Sequence, residues 1–365
     1  MLTGACCSMA GAIILRAMYG YTAHAESDPL VNLAERMVSN LALAAMPFAW
    51  PVDAIPVLKY LPGWFPGAAF KKTAQRYKQI NQAFVDIPYD FVRRQMARET
   101  YNPSYVSNLV NKLSGNQSPG LVQEDEHAVK HTAAIMYAGG VDTTASALSS
   151  FVLAMVMFPE VQRKAQQEID EHVGTHRLPV AEDRDNLPYV NGIVKESLRW
   201  SPITPLGFPH VATVDTIYGH YLIPKGATIL PSVWWFLHDP DVYDDPETFD
   251  PGRYLEPRNE PDPVPEVFGY GRRACPGRYF ADGTAFLAIV RLLAIFDIRA
   301  ATDEEGRQQE VKLNVQPGLG SFILPFPHRI APRGKKQVNL VARIETEYPW
   351  EESDASHLGI RYLAE

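Results

Sequence analysis

The order of apolar and polar positions divides the chain into long helical-period stretches and short strand-like ones. Residues 10–21 form an apolar run that ends at Gly20, which predicts a helix. From Leu30 to about Ala45, Leu30, Leu33, Met37 and Leu41 fall on one face. Residues 46–69 are rich in Pro, Trp and Phe and predict a packed, irregular connection. A long polar helix is expected over 70–98, broken or kinked at Pro88. Residues 114–120, Ser-Gly-Asn-Gln-Ser-Pro-Gly, have linker composition. The longest helical pattern runs from Glu124 to Phe158, with Glu124, Asp125 and Glu126 at the end where the helix dipole favours acids. Pro159 opens a helix that stops at Gly174, and Pro188 opens another that ends at Trp200, ahead of Pro202. The pattern then shortens to His210–Thr213, Thr216–Tyr218, Tyr221–Ile223 and Thr228–Leu230, with turns at Gly219-His220 and Pro224–Gly226. Residues 239–268 read as an extended meander dense in Asp and Pro. A last long helix covers about 278–296, with Phe286, Val290 and Leu293 on one face. A terminal hairpin is expected over 304–328, and 333–365 reads as a peripheral polar extension. The fold class is mainly α with small β-sheets, with one domain over 1–332 followed by that extension.

Composition narrows the function classes. The chain has 365 residues, 46% of them hydrophobic, enough for one large core or two ordinary ones. Its net charge is −8, with no basic stripe, which argues against nucleic acid as a partner. Three cysteines, Cys6, Cys7 and Cys275, give no disulfide framework and fit a reducing compartment. His127 and His131 share a helix face, but Ala128 stands where a zinc-protease helix has Glu, and they read as surface histidines. The apolar N-terminal run stops at Arg16, short of the roughly 20 residues a spanning helix needs, and lacks a signal peptide's basic start.

The chemistry-bearing stretch is 268–278, Phe-Gly-Tyr-Gly-Arg-Arg-Ala-Cys-Pro-Gly-Arg. Gly269, Gly271 and Gly277 allow tight turns and close approach of the backbone to something flat and bulky. Pro276 suits a first helical turn, which places Cys275 at a helix N-terminus, a position that favours an anionic sulfur. A lone cysteine is more often simply buried. The spacing Phe268, Gly271, Arg273, Cys275, Gly277 resembles the haem-binding loop of the cytochrome P450 family. The resemblance implies haem b with Cys275 as its thiolate axial ligand, Arg273 at a propionate, Phe268 beside the sulfur, and Gly269 and Gly277 against the cofactor.

Three further stretches follow in that family's order. Ala-Gly-Gly-Val-Asp-Thr-Thr, 138–144, sets two glycines inside a helix at roughly 1 kcal/mol each against alanine. Close helix packing is one explanation. The other is resemblance to the family's oxygen-activation motif, in which Gly139 and Gly140 admit the ring and oxygen while Thr143 and Asp142 relay protons. A threonine there can bond back to a carbonyl and open the helix locally. Glu196 and Arg199 lie three apart on one helix face, by default an exposed pair of little energetic consequence. Beside Phe249-Asp-Pro-Gly-Arg253-Tyr they resemble the family's buried network of Glu196, Arg199 and Arg253. By the same comparison His210 stands at a propionate, and Ile203, Thr204, Leu206 and Leu319 face the substrate.

The resemblance covers about residues 10–330 and is closest to fungal microsomal monooxygenases of the sterigmatocystin-oxidising type, around 11–21 and 202–213. It implies a monomeric enzyme that inserts one oxygen atom of O2 into a hydrophobic small molecule, with electrons from NADPH through a flavoprotein reductase. Arg272 and Arg278 are candidates to meet that reductase. Full-length relatives are anchored in the endoplasmic reticulum membrane. The expected anchor, first strands, first helices and Trp-x-x-x-Arg helix do not precede residue 10, which suggests N-terminal truncation. An alternative expectation is therefore an inactive remnant with poor or no haem binding. A peroxide-using enzyme would replace the Asp142–Thr143 pair.

Overall fold

The computed structural model describes residues 2–25, 27–46, 48–114, 121–316 and 320–358. They form two compact units, one of residues 1–145 with 349–365, the other of 146–348.

The first unit is helical. It holds α1 (Leu2–Tyr19), α2 (Pro29–Ala45), the short α3 (Pro51–Ala54), α4 (Ala69–Ala97), α5 (Tyr105–Leu113) and the N-terminal part of α6 (Gln123–Met157). Gly20 ends α1 at φ +65°, where an added methyl would lie 2.6 Å from the Asn102 carbonyl oxygen. Asp28 caps α2. One carboxylate oxygen accepts the Leu30 N–H at 2.8 Å, and the other accepts the Tyr21 hydroxyl and the His24 N–H at 2.8 Å each. Leu30, Leu33 and Met37 are buried as their spacing predicts, but Leu41 is exposed. The core gathers Leu15, Tyr19, Phe84, Phe91, Val106 and Tyr137. Tyr137 stacks on Phe84 with ring centroids 4.9 Å apart, and its hydroxyl donates to the Leu30 carbonyl at 2.8 Å.

Of the break or kink expected at Pro88, the break does not occur, and α4 is helical on both sides of it. Phe84, Val85, Tyr89, Phe91 and Val92 are buried on both sides of the proline, so packing outweighs its missing hydrogen bond. Nor does the segment after 333 stand apart. Residues 335–347 form the last helix of the second unit. Leu358 is buried in the core of the first, where Arg94 donates to its carbonyl at 3.1 Å. The linker expected at 114–120 lies, apart from Ser114, outside the described residues.

The second unit contains the rest of α6, then α7 (Pro159–His172), α8 (Pro188–Trp200), α9 (Val233–His238), α10 (Val264–Val267), α11 (Arg278–Ile295) and α12 (Lys335–Glu347). α7, α8 and α11 pack together through Val161, Ile169, Ile193, Val194, Phe286 and Val290, all buried. Glu168 on α7 caps α8 from outside, its two oxygens accepting the Tyr189 and Val190 N–H groups at 2.9 Å each. The sheets are antiparallel pairs. β1 (His210–Val211) pairs with β4 (Thr228–Ile229), and β2 (Thr216–Tyr218) pairs with β3 (Tyr221–Ile223). The expected hairpin over 304–328 is only partly present. β6 (Val315–Gln316) meets β7 (Phe322–Ile323), and the longer pairing joins β5 (Phe296–Ala300) to β8 (His328–Pro332) around it. Residues 303–307 instead fold on Asp303, which accepts from the Glu305 and Arg307 N–H groups at 3.0 and 2.8 Å.

α6 is the one helix among the described residues long and apolar enough to cross a membrane, and 72% of its most apolar stretch is buried inside the protein.

Candidate functional site

Cys275 sits between a short 3-10 turn, Gly271–Arg273, and the start of α11. Its N–H donates to the Phe268 carbonyl at 2.7 Å, which closes the loop on itself. Gly269 and Gly271 make the reversal at φ +77° and +58°, the left-handed region that side chains disfavour. The cysteine is exposed, unlike buried Cys6 and Cys7. A methyl on Gly277 would lie 3.8 Å from the Cys275 Sγ and touch nothing else within 4 Å, so the backbone beside the sulfur is open on that side.

Arg273, two residues before the cysteine, lines a cavity of about 320 Å³ with Phe208, Pro209, His210 and Val211. The fold thus brings together His210 and Arg273, 63 positions apart in sequence (273 − 210). An exposed thiol, an open backbone and a cavity with a guanidinium and an imidazole suit an anionic, flat, metal-bearing ligand such as haem. Arg272 and Arg278 are exposed, and Arg278 rests on the Tyr279 ring with its guanidinium carbon 4.6 Å from the centroid.

Glu196, Arg199 and Arg253 are fully buried and joined. Glu196 accepts Arg199 Nε at 2.8 Å, Arg199 Nη2 at 2.9 Å and Arg253 Nε at 3.0 Å. The Tyr254 hydroxyl and the Asp250 N–H complete its lone pairs at 2.8 and 3.0 Å. The remaining Arg199 donors reach the carbonyls of Leu237 and Pro246, tying α8 to the meander. Burial disfavours the Arg253 charge, but Glu196 and Glu260 outweigh it and leave its pKa raised. Tyr254 and Glu260 were not legible as partners. A tyrosine after the motif arginine carries no periodic signal, and neither does a glutamate in a charged loop.

Ile203 and Thr204 are half-buried and Leu206 is exposed. The Ser321 N–H donates to the Ile203 carbonyl at 2.6 Å, so the hairpin of β6 and β7 lies against that segment. Leu319 falls outside the described residues.

On α6 the two motif glycines differ. A methyl on Gly139 would meet nothing within 4 Å, whereas one on Gly140 would lie 3.0 Å from Ile14 of α1. Gly140 therefore permits helix packing, and Gly139 leaves an open face. Thr143 is exposed one turn on, and its hydroxyl donates back to the Gly139 carbonyl at 2.5 Å. The helix nevertheless keeps its regular pattern there rather than opening. Asp142 is half-buried, with its pKa pushed up to about 6, first by burial and then by the nearby Glu35 carboxylate. His127 and His131 stack on the exposed face of α6 with centroids 3.9 Å apart, and no metal-ligating cluster occurs among the described residues.

These features are the loop, the buried network and the helix whose sequences resemble those of a haem-thiolate family. The chain belongs to the cytochrome P450 family, whose profile matches residues 1–323. It is 47% identical over 96% of its length to the multifunctional cytochrome P450 monooxygenase af510 of Aspergillus fumigatus. It is 50% identical to cytochrome P450 monooxygenase CLM2 of Gibberella zeae. With O-methylsterigmatocystin oxidoreductase of Aspergillus flavus it shares 39% identity over 97% of its length. In each case the chain spans 66% of the relative's length. A solved zebrafish cytochrome P450, in a structure with abiraterone, superposes with a TM-score of 0.66 over 90% of this chain and 71% of that one, at 24% identity. The fold is that of the family.

Proposed function

We propose that the protein is a monooxygenase. It inserts one atom of O2 into a hydrophobic small molecule and reduces the other to water, using two electrons from NADPH delivered by a flavoprotein reductase. The observation that carries this reading is the Cys275 loop, an exposed sulfur two residues from an arginine that shares a cavity with His210. Bound through a cysteine thiolate, haem iron activates oxygen and favours O–O cleavage.

The chain's own residues then divide the work. Cys275 would hold the haem iron through its sulfur, with Phe268 beside it, and Gly269 and Gly277 would let the backbone approach the ring. Arg273 and His210 would hold the propionates. Gly139 keeps the α6 face open beside Thr143, whose hydroxyl is already fixed by the Gly139 carbonyl. Asp142, its pKa pushed up to about 6, can take up and release a proton close to neutral pH, and Thr143 stands beside it to pass that proton on. Ile203, Thr204 and Leu206 supply apolar contacts to the substrate. The arginines at 272 and 278 offer a cationic face to an acidic reductase surface.

The test is isotopic. With haem, NADPH, a flavoprotein reductase and 18O2, a panel of apolar polyketide-like substrates should yield product carrying one 18O atom. Label entering only from water would overturn the assignment.

A further inference from the structure

α6 carries a pair of side chains that the monooxygenase reading does not use. His127 and His131 are one turn apart and exposed, on the part of α6 that belongs to the first unit. Their rings lie face to face, with centroids 3.9 Å apart and planes 23° from parallel. The Nδ1 of His131 is 2.9 Å from the His127 carbonyl oxygen. A carbonyl can only accept, so that nitrogen carries the proton and Nε2 keeps the lone pair. Metal-binding histidines are held in the same way, the second ring nitrogen donating to a carbonyl or carboxylate that fixes the tautomer. The surroundings admit a cation. Glu124, Asp125 and Glu126 stand in the first turn of α6 and oppose the positive end of its dipole. The neighbouring Lys130 is drawn toward α4, with its Nζ 2.6 Å from Asp86 and over the Tyr89 ring.

We propose that His127 and His131 form a two-histidine chelate for a divalent late first-row transition ion. The Nε2 of His131 and a ring nitrogen of His127 bind it, and water fills the remaining positions, since no group of three metal-ligating side chains occurs among the described residues. Metal–nitrogen bonds of about 2.0–2.1 Å set two ligating nitrogens about 3–4 Å apart, close to the present separation of the rings. The ion must lie near the plane of each ring, so the rings turn out of their stack about a side-chain torsion that is soft in histidine. Imidazole suits Cu2+, Ni2+ and Zn2+, with Cu2+ bound most tightly, whereas Mg2+ and Ca2+ prefer oxygen ligands and should not bind. The helix holds the two rings together before any ion arrives, and an unfolded chain does not. His172 and His176 have the same spacing in sequence, but α7 ends at His172, so they share no helix face.

The experiment is a calorimetric titration of the full chain with Ni2+, after Cys275 is blocked with iodoacetamide so that its thiol does not compete. The wild type should take up a single Ni2+ ion at this site. The second histidine of a chelate binds from within the same helix, so His127→Ala and His131→Ala should each weaken that uptake on the order of a hundredfold. His176→Ala should leave it unchanged. Excess Ni2+ should raise the urea midpoint of the wild type and not of the two α6 variants, because the ion binds the folded helix and not the unfolded chain. The wild type alone also decides, through the electron paramagnetic resonance of added Cu2+, which should show coupling to two imidazole nitrogens. No uptake at about 1 mM Ni2+, coupling to one nitrogen only, or equal affinity in the wild type and either α6 variant would overturn the proposal. Neither haem nor turnover enters the measurement, so its failure is distinct from failure of the monooxygenase reading.

Discussion

Glutamine at position 196 is the sharpest perturbation the structure offers. Glu196 neutralises Arg199 and also accepts from Arg253, Tyr254 and the Asp250 backbone, all out of contact with water. Glutamine fits the space but carries no charge, and its amide N–H groups would point at arginine donors. Arg253 keeps a carboxylate partner in Glu260. Arg199 keeps the carbonyls of Leu237, Pro246 and Thr248 and the face of the Tyr243 ring, 5.4 Å from its guanidinium carbon, and so stays a buried charge without a counter-ion among the described residues. Breaking one partner of such a pair costs about 3–5 kcal/mol. That is a large share of the roughly 5–15 kcal/mol that stabilises a typical domain. Trp200 reports on the site directly, since its indole N–H donates to the Glu247 carbonyl at 2.8 Å and its ring meets Phe249 edge-on. In urea, with a slope of about 2 kcal/mol/M, the tryptophan transition of Glu196→Gln should move down by about 1.5–2.5 M. Far-UV dichroism should be followed in parallel, because two units need not unfold together. A shift under about 0.5 M would refute the claim that this network holds the unit.

Other consequences can be checked independently. Of the three cysteines, only the exposed Cys275 should be alkylated quickly by iodoacetamide at pH 8, as read by peptide mass spectrometry, and added haem should protect it. Rapid labelling of Cys7, whose thiol is pushed up to about 12, would contradict the described burial. Gly269→Ala puts a side chain at φ +77° at a cost of about 1–2 kcal/mol, so haem affinity measured by titration should fall about five- to thirtyfold. Asp142 titrates near 6 in the fold against 3.8 ordinarily. Below about 3.8 both states hold the proton, and its burial carries no penalty. As pH rises toward 6 the unfolded chain ionises first, and stability is lost until the folded group ionises too. Asp142→Asn should therefore stabilise the protein at pH 8 by on the order of 2 kcal/mol, and not at pH 3.5, in thermal unfolding.

Much of the helical frame was legible because its punctuation is local. Pro159 and Gly174 bracket α7, Pro188 opens α8, and Gly20 ends α1, each through a backbone constraint that needs no neighbours. Pro88 leaves α4 unbroken for the opposite reason, since the apolar contacts that carry the helix past it come from elsewhere in the chain. The polar tail after 333 hid its docking for the same reason, with Leu358 anchoring a stretch that hydropathy alone would leave in solvent. The loop around Cys275 could be read as a motif, but His210 joins Arg273 only through tertiary structure.

The most direct measurement is the absorption spectrum of the purified chain with added haem, reduced and then exposed to carbon monoxide. A strongly red-shifted Soret band that disappears in Cys275→Ala is the predicted result. A band at the position of histidine- or thiol-bound haem, persistence of the shifted band in Cys275→Ala, or no haem uptake at all would contradict the assignment of Cys275 as the thiolate ligand.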